Sequence, residues 1–356
     1  MNHPISNHIN TLLEACTSFG KSQNKVSEMD LGYDFSNEVI VITGAAGTIG
    51  SGLTRLLLGC KFKMLILIDN AETPLYYLQK ELEALPLAQV HFVLADIRDN
   101  ACMEDLFKTY APTCIFHTAA YKHVSMMESN PYEAVKLNIW ATKSLADLAL
   151  AYHLDKFIFI STDKAVNAIS VMGMSKRICE RYLEHLNLKG TTKFLVARFG
   201  NILESNGSLI PLFTKQITQG HPLTVTHKDV TRYFITKVTA CNLILKLANL
   251  QNYEHHVFTF NMGNPVNILE LAYGFLKRNN LSIQGNINII GLKSGEKLHE
   301  EIISQQEELK PTPDQDIFYV VKKDKTTPTG FDLEPIASLT PYDTVSAIKM
   351  VLKSYL

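Results

Sequence analysis

The chain has 356 residues, 46% of them apolar, and a formal net charge of -1. This length accommodates one large α/β unit or two joined domains, with enough apolar residues for a sizeable core. Balanced charge argues against a nucleic-acid-binding or membrane-surface protein, while leaving room for a local basic site that holds phosphate. The amino terminus lacks a basic region followed by an apolar core. No apolar run reaches the ~20 residues that span a bilayer, so a soluble, cytoplasmic protein without membrane insertion is expected. The cysteines at 16, 60, 102, 114, 179 and 241 include no CxxC pair. They read as reduced, mostly buried thiols, and no metal site is expected.

Residues 1–35 read as an extension. Ile5, Ile9, Leu12, Leu13 and Cys16 fall at helical spacing and predict a short amphipathic helix, packed on the body or on a second subunit. Lys21 to Met29 reads as a polar linker. Strands are predicted at Val39–Thr43, Met64–Ile68, His91–Leu94, Thr113–Phe116, Lys156–Ile160 and Lys193–Arg198. Helices are predicted at Ile49–Leu58, Leu75–Leu85, Tyr132–Tyr152 and Met174–Leu188. This alternation argues for a parallel, doubly wound sheet. Beyond Arg198 it loses regularity, and Pro211, Pro222 and Pro265 punctuate shorter elements.

Gly44-Ala45-Ala46-Gly47-Thr48-Ile49-Gly50 directly follows the first strand and opens a helix. Glycines allow a tight turn and close backbone approach to a pyrophosphate, while the helix start supplies N–H groups and partial positive charge. A glycine triplet alone is a weak signal; strand, spacing and helix together point to a dinucleotide. The expected architecture is therefore α/β: a Rossmann-type NAD(P)-binding domain over residues 36–200, and a smaller, mainly substrate-binding lobe over 201–356, part of which returns to the first domain. Asp69 ends the second strand, where a carboxylate accepts bonds from ribose hydroxyls; it would repel a 2′-phosphate, which favours NAD over NADP. An aspartate capping the next helix is the plainer alternative. Asp96 and Ile97 are placed to touch the adenine, and Ala119, Ala120 and Tyr121, after the fourth strand, to line the cofactor.

The fifth strand ends in Ser161-Thr162-Asp163-Lys164, and Met172 and Lys176 follow at Met-x-x-x-Lys spacing. A hydroxyl, a carboxylate and two amines thus gather at the mouth of the sheet. A surface Asp163–Lys164 salt bridge of little energetic weight is the bland alternative.

The glycine pattern, the strand-end Ser-Thr and Lys176 resemble the extended short-chain dehydrogenase/reductase superfamily. Asp69-Asn70-Ala71-Glu72, Ala95 to Asp99, Ala119 to Val124, Met127 to Ala134, Ser161 to Asn167, Arg198 to Asn201, Val230 to Phe234 and Gly295 to Leu298 resemble a narrower group. These are the UDP-N-acetylglucosamine 4,6-dehydratases of bacterial capsule, O-antigen and glycan biosynthesis, and the similarity runs from about residue 36 to 303. Many members carry transmembrane helices ahead of this domain; the chain looks like a soluble version. The resemblance implies C4 oxidation of a UDP-sugar, loss of water across C5 and C6, and hydride return to C6. It also implies a tightly held, recycled NAD, with NADP as the alternative, and a homo-oligomer, dimeric or larger.

The superfamily's tyrosine is replaced by Met172, which cannot carry a proton. One dehydratase branch shares this methionine, and there Thr162, Asp163 and Lys164 are implied to take over proton transfer. Asp163 is then the candidate acid at the C6 oxygen, Lys164 the candidate base at C5, and Thr162 the partner of the C4 oxygen. Lys176 is implied to hold the nicotinamide ribose, and Asn138 to support the active-site backbone. Lys122 and Arg232 are candidate anion binders, Asn201 and Glu296 candidate uridine partners, and His123 is either catalytic or structural. Glu204 stands where relatives have glycine near the UDP, so its side chain is expected to point away from the diphosphate. Three alternatives stay open: a UDP-sugar epimerase, a dehydratase/5-epimerase on the same fold, and a catalytically silent NAD(P)-binding protein. Typical 4-epimerases carry small or apolar residues at 163 and 164, so the charged pair favours dehydration.

Overall fold

The computed structural model describes residues 9–14, 33–83, 85, 88–203, 205–250, 253–324 and 331–356. Ile5, Cys16, the Lys21 to Met29 stretch and Glu204 lie outside them. In chain order, helix α1 (residues 9–14) precedes β1 (Asp34–Thr43), α2 (Thr48–Leu57), β2 (Lys61–Asp69), α3 (Glu72–Leu82), β3 (Val90–Leu94), α4 (Asn100–Tyr110) and β4 (Cys114–His117). There follow α5 (Val124–Ser129), α6 (Pro131–Ala134), a π-helical segment (Val135–Ala141), α7 (Thr142–Ala151), β5 (Lys156–Thr162), a single 3-10 turn (Asp163–Ala165), α8 (Val171–Leu186) and β6 (Lys193–Phe199). The remainder supplies β7 (Asn201–Ile202), α9 (Leu209–Thr218), β8 (Leu223–Val225), β9 (Thr231–Arg232), β10 (Phe234–Ile235), α10 (Lys237–Asn249), β11 (Val257–Phe260) and β12 (Val266–Asn267). It closes with α11 (Ile268–Arg278), β13 (Ile287–Ile289), β14 (Glu307–Pro311), β15 (Ile317–Lys322), α12 (Glu334–Ala337) and α13 (Val345–Lys353).

The main sheet has nine strands in the order β14-β15-β11-β6-β5-β4-β1-β2-β3. From β3 to β11 all pairings are parallel; β15 and β14 are antiparallel. β1 pairs with both β2 and β4, so the winding reverses between β1 and β4 and opens a crevice at the strands' carboxyl ends.

The unbroken apolar runs have a simple physical role. In a strand, alternate side chains point to opposite faces. Val41, Ile66, Ile115, Phe157 and Phe159 enter one core layer with α4, α7 and α8. Ile40, Ile42, Leu65, Leu67, Phe116 and Ile158 enter the other with α2 and α10. A sheet covered on both sides needs apolar residues at every position, which is why its strands show no polar alternation.

A third cluster builds the smaller lobe from α9, α11 and β8, and it includes Ile9, Leu12 and Leu13 of α1. The amphipathic extension therefore docks on its own chain, each buried apolar side chain contributing roughly 1.5–3 kcal/mol. Helices α4 and α5 were absent from the sequence-based expectation. The expected helix at 132–152 is present, but the π-helical segment interrupts it. No helix among the described residues is long and apolar enough to cross a membrane. Cys102, Cys114, Cys179 and Cys241 are free thiols, the last three buried.

Candidate active site

A cleft of about 720 Å³ runs across the carboxyl ends of the strands, within the size range of small-molecule sites. At one end lies the β1–α2 turn, with Gly47, Thr48 and Ile49 on the wall. A Cβ on Gly50 would fall 2.2 Å from the Gly44 carbonyl oxygen, so only glycine lets α2 begin this close to the turn. The Ala46 N–H donates to Asp69 Oδ2 and the Ala71 N–H to Asp69 Oδ1, both at 2.9 Å. Asp69 thus ties the glycine turn to the start of α3, and each oxygen keeps a lone pair for a ribose hydroxyl. This close-packed cradle at the winding reversal fits a dinucleotide.

Asp96 stands after β3, gripped by the Arg98 guanidinium at 2.5 and 3.0 Å, which holds its carboxyl down at about 2. Ile97 corrects an expectation. Its side chain packs in the core with Met103 and Leu106, so an adenine would meet backbone there rather than the isoleucine side chain.

Asn138 projects from the π-helical segment. Its amide accepts from the Tyr121 N–H at 2.9 Å, and donates to the Tyr121 carbonyl and the Ser175 hydroxyl, each at 3.0 Å. These bonds pin the strand exit at 119–122 to α8. Ala120, Tyr121, Lys122 and His123 line the cleft, while Ala119 lies off its wall with its backbone against Gly44. Lys122 pairs with no carboxylate among the described residues, and desolvation lowers its pKa. Desolvation and the adjacent Lys122 charge lower that of His123.

Thr162 and Lys164 lie on the wall at the end of β5, and Asp163 lies behind them, fully buried. Asp163 Oδ1 accepts from the Thr162 hydroxyl at 2.8 Å and from Lys164 Nζ at 2.9 Å. Lys164 Nζ also donates to Asn201 Oδ1 at 3.2 Å. The pair is therefore an interior one, and Asp163 reaches the cleft only through its neighbours. Met172 and Lys176 face the cleft one turn apart on α8. Lys176 Nζ donates to the Ile160 carbonyl at 2.9 Å and sits 4.4 Å from the Phe159 ring centre; burial lowers its pKa to about 8. A Cβ on Gly173 would fall 2.2 Å from the Lys164 carbonyl oxygen, so glycine lets α8 rest directly on the reactive turn.

Beneath this turn, the Ser161 hydroxyl donates to Glu180 at 2.6 Å. The fully buried Arg198 joins Glu180 at 2.8 Å to Glu307 of β14 at 3.0 Å. Removing one member of such a buried pair costs about 3–5 kcal/mol.

Asn201, beside Lys164, and Arg232 and Glu296 also line the cleft. Arg232, the other candidate anion binder, pairs with Glu296 at 2.8 Å and donates to the Thr231 and Leu298 carbonyls. Its charge is offset by the very residue expected beside it, which leaves Lys122 the more available cation. The sequence reading missed Lys293 and Glu300, which also line the cleft.

The chain matches the family described as polysaccharide biosynthesis protein over residues 40–322. It is 38% identical to the capsular polysaccharide biosynthesis protein CapD of Staphylococcus aureus, over 84% of this chain and 50% of that protein, so it spans about half of CapD's length. It is 31% identical to a UDP-glucose 4-epimerase of Rickettsia bellii, over 77% of this chain and 80% of that one. The solved structure of Pen from Bacillus thuringiensis is 29% identical with a TM-score of 0.72, covering 80% of this chain and 88% of Pen. DesIV, a dTDP-glucose 4,6-dehydratase from Streptomyces venezuelae solved with NAD and TYD bound, shares the fold. Its TM-score is 0.67 at 18% identity, over 74% of this chain and 87% of that one. Matches of this extent show that the chain belongs to the polysaccharide biosynthesis protein family, in the capsule branch of the extended short-chain dehydrogenase/reductase superfamily.

Proposed function

We propose that the protein is an NAD(P)-dependent nucleotide-sugar 4,6-dehydratase that acts on UDP-N-acetylglucosamine in bacterial surface-polysaccharide or glycan biosynthesis. The observation that carries this reading is the Thr162–Asp163–Lys164 group. It sets a hydroxyl and an amine on the cleft wall over a buried carboxylate, beside a methionine that cannot exchange protons.

Held by the Gly44–Gly50 turn, Asp69 and Lys176, the nicotinamide cofactor supplies hydride acceptance and return when bound. Asp69 favours NAD over NADP. The Thr162 hydroxyl spends its proton on Asp163 Oδ1, so its lone pairs face the cleft and accept the C4 hydroxyl proton. That proton passes through Thr162 to Asp163. The resulting C4 ketone acidifies C5. Lys164 is the base that takes the C5 proton, its Nζ held by Asp163 and Asn201. Water leaves across C5–C6, and hydrogen restored at both carbons gives a 4-keto-6-deoxy sugar. Asp163 works through Thr162 and Lys164 rather than by touching the sugar. Lys122 faces the diphosphate, and Arg232 with Glu296 flanks the uridine.

The likeness to a UDP-glucose 4-epimerase supports a second reading, C4 inversion with the C6 hydroxyl kept. The two separate in deuterated water with UDP-N-acetylglucosamine, NAD+ and NADP+, followed by proton NMR. A new C6 methyl signal with deuterium at C5 is expected, and its couplings report the C5 configuration. A C4-inverted sugar with an intact C6 hydroxyl overturns dehydration in favour of epimerisation, and an unchanged spectrum overturns both.

A further inference from the structure

Two carboxyl groups flank Lys164, and only one faces the cleft. Asp163 lies behind it, while Glu300, from the segment between β13 and β14, stands on the cleft wall with Oε1 3.8 Å from Lys164 Nζ. Glu300 Oε2 lies 3.8 Å from Lys297 Nζ, which itself donates to the Val166 carbonyl at 2.6 Å. Asp163 Oδ2 and Glu300 Oε2 are both buried without a hydrogen-bond partner among the described residues. An unpartnered buried oxygen is costly, whereas a protonated carboxyl offers a donor that a ligand oxygen can take up. Burial raises the Glu300 pKa and the Asp163 carboxylate adds to the rise; Lys164, Arg232 and Lys297 oppose it.

We propose that Glu300 is a further catalytic residue, the acid that protonates the C6 hydroxyl as it leaves. This rests on the dehydratase reading above. As the C5–H bond breaks, its proton goes to Lys164 and its electron pair forms the C5–C6 double bond. The C6–O bond breaks, and the Glu300 proton joins the departing hydroxide to make water. When hydride returns to C6, Lys164 gives its proton back to C5. The proton taken from the C4 hydroxyl then passes from Asp163 through Lys164 to Glu300, and the cycle closes with no net proton.

The test compares wild type with Glu300→Gln on two substrates, each with NAD+ and NADP+ supplied: UDP-N-acetylglucosamine and its 6-deoxy-6-fluoro analogue. Fluoride leaves without needing a proton. Glu300→Gln is expected to lose about 10²-fold in water elimination yet keep fluoride release within about threefold, as loss of one general acid requires. It should still exchange the C5 hydrogen of recovered UDP-N-acetylglucosamine with deuterated water. The wild-type elimination rate should fall as pH rises through the Glu300 pKa, because the acid form is the donor, and this alkaline limb should vanish in the variant. Glu300→Asp, which keeps a carboxyl, should recover part of the elimination rate. Equal loss on both substrates, loss of the exchange, or an unchanged elimination rate overturns the role of Glu300. A wild type inert towards both substrates overturns the dehydratase reading, and this role with it.

Discussion

The two ends of the cleft are built on different principles. At the β1–α2 turn the work is done by backbone: two N–H groups on Asp69, a helix start, and a glycine packed against a carbonyl. At the end of β5 it is done by side chains drawn from positions 162 to 300, with charge placed out of water. The cofactor end is therefore the more sensitive to added volume. The reactive end is sensitive to charge, and to volume only where α8 rests on it.

Four substitutions sharpen or break this contrast. The largest effect is expected from Lys164→Met, which keeps the length and removes the amine: dehydration should fall about 10³-fold, with cofactor affinity unchanged by titration. A parallel loss of cofactor binding would erase the distinction. Gly173→Ala pushes a methyl onto the Lys164 carbonyl, and displacing the reactive turn should lower the rate about 10²-fold, although alanine is otherwise the better helix former. Its cofactor dissociation constant should match wild type. Gly50→Ala reverses the pattern: overpacking of about 1–3 kcal/mol should weaken cofactor binding roughly 10- to 100-fold, while the rate at saturating cofactor stays near wild type.

The smallest effect comes from Lys176, where the two ends meet. Its pKa near 8 means that the ammonium is lost as pH rises, so cofactor affinity should drop several-fold between pH 7 and 9.5 by fluorescence titration. Without cofactor the sign for stability is the opposite. The unfolded lysine holds its proton up to 10.5, so unfolding binds a proton between about 8 and 10.5, and folding stability rises with pH across that window. Lys176→Met should flatten both profiles.

The same contrast explains what the sequence revealed. The six strands from β1 to β6 were legible because burial on both faces leaves unbroken apolar runs, and the cofactor turn because its residues lie within seven positions of one another. Helix α4 does carry a signal in the sequence: Asp99 caps its first turn, and Met103, Leu106 and Phe107 face the core at helical spacing. The π-helical segment left no such trace, since Asn138 within it meets its partners Tyr121 and Ser175 only across 17 and 37 positions of the folded chain. At the reactive end, sequence named Thr162 to Lys164 and Lys176 but not Glu300. Only the folded chain brings that carboxyl to Lys164, and no local period encodes a contact across 136 positions. Arg232 and Glu296 were read as two separate ligand contacts, because sequence does not show that they lie 2.8 Å apart.

The buried Arg198 has a consequence for biosynthesis. Its second carboxylate, Glu307, lies 109 residues further along the chain. At translation speeds of about 5–20 residues per second, Arg198 waits roughly 5–20 s for that partner to be made. During this interval β5 and β6 are complete, but the guanidinium beneath the Ser161–Thr162 strand end has only one of its two carboxylate partners. β14 is therefore expected to act as the closing bolt on the end of β5. A nascent chain stalled before Glu307 should be open to proteolysis at the end of β5, and one stalled after β15 has emerged should be protected there.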